Sequence, residues 1–244
     1  MNKAFCKKRV FFSFLLTGCL ILFNLSCGLD TFYVIDAPHQ TVHIPEWNNP
    51  DIATDSYFEF YTVDKDYDSV KFLGTDVYYK IYKSSSTLES QVNDLVKLAT
   101  ESDTNTSADK MIRTYLYKPL RGKGHENVNV LLPTTGSNQR VKIRLNNYTI
   151  YDAGIDVDGS HIYGSSSAVI PVRNLENNPT FQFKSSDSDS IPKSGDADVN
   201  SNGSSSSDSD WYIAMFAVAV GLDYTYTQVF SNVLYLGAVT ITVE

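Results

Sequence analysis

Residues 211–222, WYIAMFAVAVGL, are apolar at almost every position. The stretch is too short to cross a bilayer as a helix, which takes roughly 20 apolar residues. Tyr212, Ala214, Phe216, Val218 and Val220 alternate with Ile213, Met215, Ala217 and Ala219, so both faces of an extended chain are apolar. A strand of that kind belongs in the middle of a sheet covered on both sides. Residues 233–243 supply a partner across the turn-rich segment 223–232. Two long apolar strands this close to the C-terminus imply a core completed only when the chain ends. Truncation after Ser231 is therefore expected to prevent folding.

The remaining chain is rich in Tyr and Phe, which fall with β-branched residues into short segments of period two, the mark of strands. The expected strands are residues 32–35, 41–44, 56–63, 70–82, 114–117, 128–132, 141–145, 148–151, 161–163, 168–172 and 180–184. Pro45 suits an edge position for the opening pair, and Gly74 suggests a bend or bulge inside residues 70–82. Asn146-Asn147 and Asp158-Gly159 read as hairpin turns. Between Ser86 and Thr100 the period changes: Leu88, Val92, Leu95, Val96 and Ala99 share one face of an amphipathic helix. Ser86 with Glu89 matches a capping box. A polar loop over 101–107 and one more turn at 108–113 complete a helical insertion of about residues 86–113. Residues 185–210 are mostly Ser and Asp, with Ile191 and Val199 as the only larger apolar side chains. Such a segment buries too little to offset the entropy of ordering, and a disordered loop is expected. The fold class is mainly β, an antiparallel β-sandwich in one domain, residues 27–244.

The first 26 residues carry Lys3, Lys7, Lys8 and Arg9 and no acid, followed by an apolar run. This is the plan of an export signal. Small residues stand directly before cysteines, at Thr17-Gly18-Cys19 and Leu25-Ser26-Cys27, an arrangement that suits a bacterial lipoprotein signal ending at an acylated cysteine. Cys19 has the better local match to Leu-small-small-Cys. Cys27 is favoured as the lipidation site because the apolar run ends there, whereas cleavage at Cys19 would leave Leu20-Ile21-Leu22-Phe23 on the mature chain. An uncleaved signal anchor is the remaining alternative. No cysteine follows Cys27, which excludes disulfides, thiolate metal sites and cysteine nucleophiles from the mature chain. Loss of the signal lowers Lys+Arg from 20 to 16 against 28 Asp+Glu, a formal charge of −12. Nucleic acid and bare anionic membrane are poor partners for that surface. The lipid, rather than charge, would hold the chain at a membrane.

Motifs with chemistry are sparse. His39 and His43 flank an extended segment that places them about 13 Å apart by strand rise, too far for one ion. His125 lies in the basic turn Arg121-Gly122-Lys123-Gly124-His125, read as a solvated turn without Walker spacing. The run from Asp152 through Asp156 and Asp158 to Gly159 invites a calcium reading, but its register fails that of an EF-hand. A hairpin loop is the default there. Ser160 and His161 are neighbours on a strand and point apart. No nucleophile elbow, HExxH or dinucleotide fingerprint occurs, so no catalytic residue, cofactor or metal is expected and there is no positive case for an enzyme.

Cys27-Gly-Leu-Asp-Thr-Phe-Tyr-Val-Ile-Asp-Ala-Pro38 resembles the mature start of a group of spirochaetal, Treponema-type lipoproteins, and the resemblance continues at residues 72–82 and 212–222 and at 231–237. It implies an envelope lipoprotein anchored at Cys27. Gly28 supplies no acidic retention signal after the cysteine, so the outer membrane is the expected location. Residues 72–82 and 212–222 are also similar to strands of fibronectin type III domains, with Trp47 standing in for the usual early tryptophan. That likeness implies a binding or spacing module with a protein or glycan partner. The competing expectation is an envelope enzyme or small-ligand binder. A deep polar pocket around His161 or Asp156 would favour it, and an exposed aromatic patch on a loop end would favour the binding module.

Overall fold

The computed structural model describes residues 33–47, 54–102, 105–148, 151–162, 167–175, 181–183, 191–203 and 209–242. The chain divides into Met1–Phe32, which lies outside the described residues together with Cys19 and Cys27, and Tyr33–Glu244. In chain order the strands are β1 (Gln40–His43), β2 (Phe58–Tyr61), β3 (Lys71–Tyr82), β4 (Lys118–Pro119), β5 (Arg121–Gly122), β6 (Leu132–Pro133), β7 (Arg140–Arg144), β8 (Gly154–Val157), β9 (Ser160–His161), β10 (Pro171–Val172), β11 (Val199–Asn200), β12 (Asp210–Leu222), β13 (Gln228–Phe230) and β14 (Leu234–Thr242). Between β3 and β4 lie the helices α1 (Ser85–Glu101) and α2 (Thr106–Asp109), the second running into a π turn, Lys110–Thr114. The fold is mainly β with antiparallel sheets.

Strands β3 and β12 pair antiparallel from Tyr212↔Tyr82 to Leu222↔Lys71 and form the middle of a seven-stranded sheet. β14 and β13 follow one another along the free edge of β12, and β6, β4 and β11 along that of β3. Every residue from Trp211 to Gly221 is consequently buried, as the two-faced apolar pattern requires. One face, with Val77, Tyr79, Ile81, Ile213, Met215 and Ala217, packs on Phe58, Phe60, Val141, Ile143 and Ile155 of a second sheet ordered β1-β2-β7-β8-β9. The other face, with Tyr78, Tyr82, Tyr212, Ala214 and Phe216, packs on Leu88, Val92 and Leu95 of α1. Fully burying each Val, Leu, Ile, Phe or Met side chain contributes about 1.5–3 kcal/mol. β1 pairs only with β2 among the described strands, the edge position that Pro45 suggests. At Gly74 the register shifts, and a Cβ there would lie 2.1 Å from the Leu132 carbonyl oxygen, so the bulge requires glycine.

Several expectations are corrected. Residues 33–35 form no strand; Ile35 is buried beside Val70 and Val229, and Asp36 N–H donates to the Tyr67 hydroxyl at 2.9 Å, so the segment crosses the strand ends. Phe32 lies outside the described residues. Residues 114–117 close the π turn instead of forming a strand, with Leu116 at φ 57°. Of residues 128–132 only Leu132 is in a strand, and residues 181–183 carry none, Phe183 being held edge-on to Tyr79 at 4.8 Å. The N-cap of α1 is Ser84 rather than Ser86, its Oγ accepting from Thr87 N–H, because the backbone is still extended there as it leaves β3. Val96, expected on the buried face, is 36% exposed. Trp47 packs T-shaped on Tyr212 at 5.4 Å, on the helix side of the sheet, and so does not fill the place of a core tryptophan between two sheets.

The largest correction concerns residues 185–210. Residues 184–190 and 204–208 lie outside the described residues, but 191–203 form a fixed segment in which β11 pairs parallel with Ile81 and Tyr82. Asp198 is fully buried and accepts from Arg173 Nη2 at 2.6 Å, Arg173 Nε at 2.9 Å and the Tyr79 hydroxyl at 2.8 Å. Arg173, itself fully buried, also reaches Asp196 at 2.7 Å. Burial, then the Asp198 charge, pushes the Tyr79 phenol well up, so it stays a donor. Apolar content did not forecast order here because a buried ion pair with hydrogen bonds supplies it. The turn read as solvated is anchored in the same way: Arg121 is buried and bidentate to Asp76, at 2.8 and 3.2 Å.

Candidate functional site

Two surfaces concentrate unusual side chains. The first is the end of the molecule where β12 turns into β13. Asp223 Oδ1 accepts from Thr225 N–H at 2.8 Å, Thr225 Oγ1 at 2.7 Å and Thr227 N–H at 2.9 Å. Backbone bonds from Asp223 N–H to the Thr227 carbonyl and from Tyr226 N–H to the Asp223 carbonyl, both 3.0 Å, close the loop on itself. The hydrogen bond from the Thr225 hydroxyl, ahead of those from the Thr227 and Thr225 amides, holds the Asp223 carboxyl below its usual range. Tyr226 adopts a left-handed φ of 62°, and the loop presents Tyr224 at 76% and Tyr226 at 82% exposure. Tyr33 meets Tyr224 edge-on at 6.1 Å. Beneath them Ile35, Val70 and Val229 form a small buried cluster with Tyr33, Tyr67 and Phe72 packed around it. Lys65 pairs with Asp36 at 2.8 Å on the rim.

The second surface is the outward face of the five-stranded sheet. The register places His43 opposite Glu59, Glu59 opposite Lys142, Lys142 opposite Asp156 and Asp156 opposite His161, a row of titratable groups across all five strands. Glu59 is paired with Arg140 at 2.9 Å, and Asp156 with His161. The His43 ring stacks on Tyr57 at 3.9 Å; its Nδ1 lies 2.8 Å from the Tyr57 carbonyl, which can only accept, so Nδ1 carries the proton. Lys142 Nζ sits 4.1 Å from the centre of the Tyr57 ring. Arg144 is nearly buried among Tyr57, Tyr148 and Tyr151, and that burial lowers its pKa. Glu59, Tyr61, Arg140, Lys142, Asp156 and Asp158 line an open groove of about 460 Å³.

The sequence candidates do not converge on one centre. His39 is exposed and separate from the stacked His43, and His125 is half-buried in its turn. Asp158 and Gly159 form the two-residue hairpin between β8 and β9, at φ 51° and 82°, with Asp158 Oδ1 accepting from Arg140 N–H at 2.9 Å. Asn147 does not make a tight hairpin; its Oδ1 accepts from Ala153 N–H across a longer loop. Asp152 is exposed, and no cluster of three His, Cys, Asp or Glu side chains that could hold an ion occurs among the described residues. Cys27 and Cys19 lie outside the described residues. Sequence reading missed Tyr224 and Tyr226, although Asp-Tyr-Thr-Tyr-Thr, two aromatics in a turn held by Asp and Thr, is a readable signal. The cross-strand row had no such signal, because it depends on pairing register. Comparison with protein-family models, curated proteins and solved structures found no match.

Proposed function

We infer that this chain is a lipid-anchored bacterial envelope protein, acylated at Cys27, that acts by binding rather than by catalysis. The observation that carries the reading is the Asp223-braced loop: two exposed tyrosines on a loop already closed by its own hydrogen bonds lose little conformational entropy on contact. Tyr offers a large apolar body and a polar tip, the usual chemistry of contact residues. A protein or glycan ligand fits the outward face of the five-stranded sheet, where Tyr57, Tyr61 and the charged row offer stacking and hydrogen bonds. The sandwich reading draws support from the facing of the two sheets, and the fibronectin type III likeness from the pairing of β3 with β12. The helix layer and the parallel strand β11 lie outside that pattern.

The groove of about 460 Å³ beside Asp156 favours a second reading, a small-ligand binder or enzyme of the envelope. Its carboxylates are matched by Arg140 and His161, an arrangement that suits recognition of a polar ligand. The test has two parts. Intact mass of detergent-extracted protein is expected to equal residues 27–244 plus acyl groups; an unlipidated mass removes the anchor. The full chain with Cys27→Ser is then sedimented with isolated envelopes. Tyr224→Ala with Tyr226→Ala is expected to weaken association about tenfold, the scale of a lost aromatic contact of 1–2 kcal/mol. Unchanged association sinks the loop as the contact.

A further inference from the structure

We propose that the aromatic loop end rests on the lipid headgroup surface of the membrane that holds the anchor. The domain then stands end-on, with Tyr33, Tyr224 and Tyr226 against the bilayer. The inference rests on the reading of Cys27 as the acylated residue and names the partner of the loop. Its first support is chain length. Tyr33 follows Cys27 by six residues, and six residues of fully extended chain reach at most about 20 Å. Whatever path that chain takes, an acyl group on Cys27 keeps Tyr33 within about 20 Å of the headgroups. Tyr33 in turn touches Tyr224.

The second support is where exposed apolar surface falls. The three most exposed large apolar side chains among the described residues are Tyr226 at 82%, Tyr224 at 76% and Val34 at 60%. Two are on the loop and the third is the chain neighbour of Tyr33. Tyrosine is enriched at membrane–water interfaces, where its ring is among the headgroups and its hydroxyl remains hydrated. The charges specify the lipid. Asp36 is neutralised by Lys65, and Asp223 is engaged within the loop; Asp66 and Asp68 are exposed nearby, and so is Lys71 opposite Leu222, which leaves the balance acidic. A contact of this sign suits zwitterionic headgroups and gains nothing from anionic ones.

The molecule contains its own distant reporters. Trp211 is the second residue of β12 and Trp47 packs on Tyr212, whereas Tyr224 lies two residues past Leu222, the last residue of the same strand. Leu222 lies ten residues along the strand from Tyr212, about 33 Å at the usual rise. The lipid-bearing chain, residues 27–244, is placed in vesicles of phosphatidylcholine brominated near the headgroup, and emission is compared for the parent and for Tyr224→Trp. Because Tyr224 is 76% exposed, this variant is expected to melt with the parent. Emission added by the new tryptophan is expected to be lost to bromine while that of Trp47 and Trp211 is kept, with no further loss when anionic lipid is added. An unquenched Tyr224→Trp on acylated protein overturns the inference and leaves the anchored binding protein standing, with a protein or glycan at the loop. Quenching of the parent tryptophans overturns it as well, since the far end would then face the lipid. A mass without lipid removes the tether, and both readings fall together.

Discussion

Strand β12 and the segment 191–203 lie in the same sheet neighbourhood and are ordered by opposite means. β12 is held by apolar side chains buried on two faces, with Ile213, Ala214, Met215, Phe216, Ala217, Val218 and Ala219 all at 0% exposure. The segment 191–203 is held at Asp198 and Asp196 by Arg173, with Tyr79 as a further donor and two residues of β11 pairing beside Ile81. The first kind of order is non-directional and visible in composition. The second depends on a few groups in fixed geometry, brought from positions far apart in sequence, and composition hides it.

Removing whole partners tests the first region most severely. A chain ending at Ser231 lacks β14, whose Leu236, Ala238, Val239 and Ile241 are buried against β12. It is expected to show no cooperative thermal transition by circular dichroism; a soluble product that melts cooperatively would break the account of the core. In the second region, Arg173→Ala leaves Asp198 and Asp196 without their buried cation, and loss of one member of a buried pair costs about 3–5 kcal/mol. Urea unfolding measures this, and limited proteolysis is expected to cut first within residues 191–203. If stability changes by less than about 1 kcal/mol, the size of a surface ion pair, the segment is not held by that pair.

Smaller changes sharpen the contrast. Ile213→Val, at a fully buried position of β12, is expected to cost about 0.5–1.5 kcal/mol without altering protease sensitivity at residues 191–203. Asp223 gives the smallest effect, confined to its loop. Its folded pKa is depressed by hydrogen bonds from Thr225 and Thr227. The stabilisation of the loop is therefore present above the ordinary carboxylate range and is lost as pH falls through the lowered folded value. Amide protection at Thr225 and Thr227, taken against the intrinsic exchange rate at each pH, is expected to fall in acid and in Asp223→Ala at neutral pH, with the global melt unchanged. Protection that persists in Asp223→Ala would mean that the backbone bonds alone close the loop.

The candidate surfaces were legible to different degrees. Exposed tyrosines in a turn are a local matter, and Asp223, Tyr224, Thr225, Tyr226 and Thr227 are contiguous. Their neighbour Tyr33 comes from the start of the domain, so the patch as a whole was not readable. The row from His43 to His161 crosses five strands, and a slip of one residue in any pairing would turn its member inward.

Local periodicity by itself determined that this protein is mainly β, that residues 211–222 lie inside a sheet and that one amphipathic helix covers it. Period two and the helical repeat are consequences of backbone geometry, and a pattern that meets both faces of a sheet has few other places to go. Tertiary structure alone decided that Arg173 meets Asp198, that Arg121 meets Asp76 and that Tyr33 meets Tyr224. Those meetings join residues remote in sequence through directional contacts of a few ångströms, and such distances exist only once the sheets have set their register.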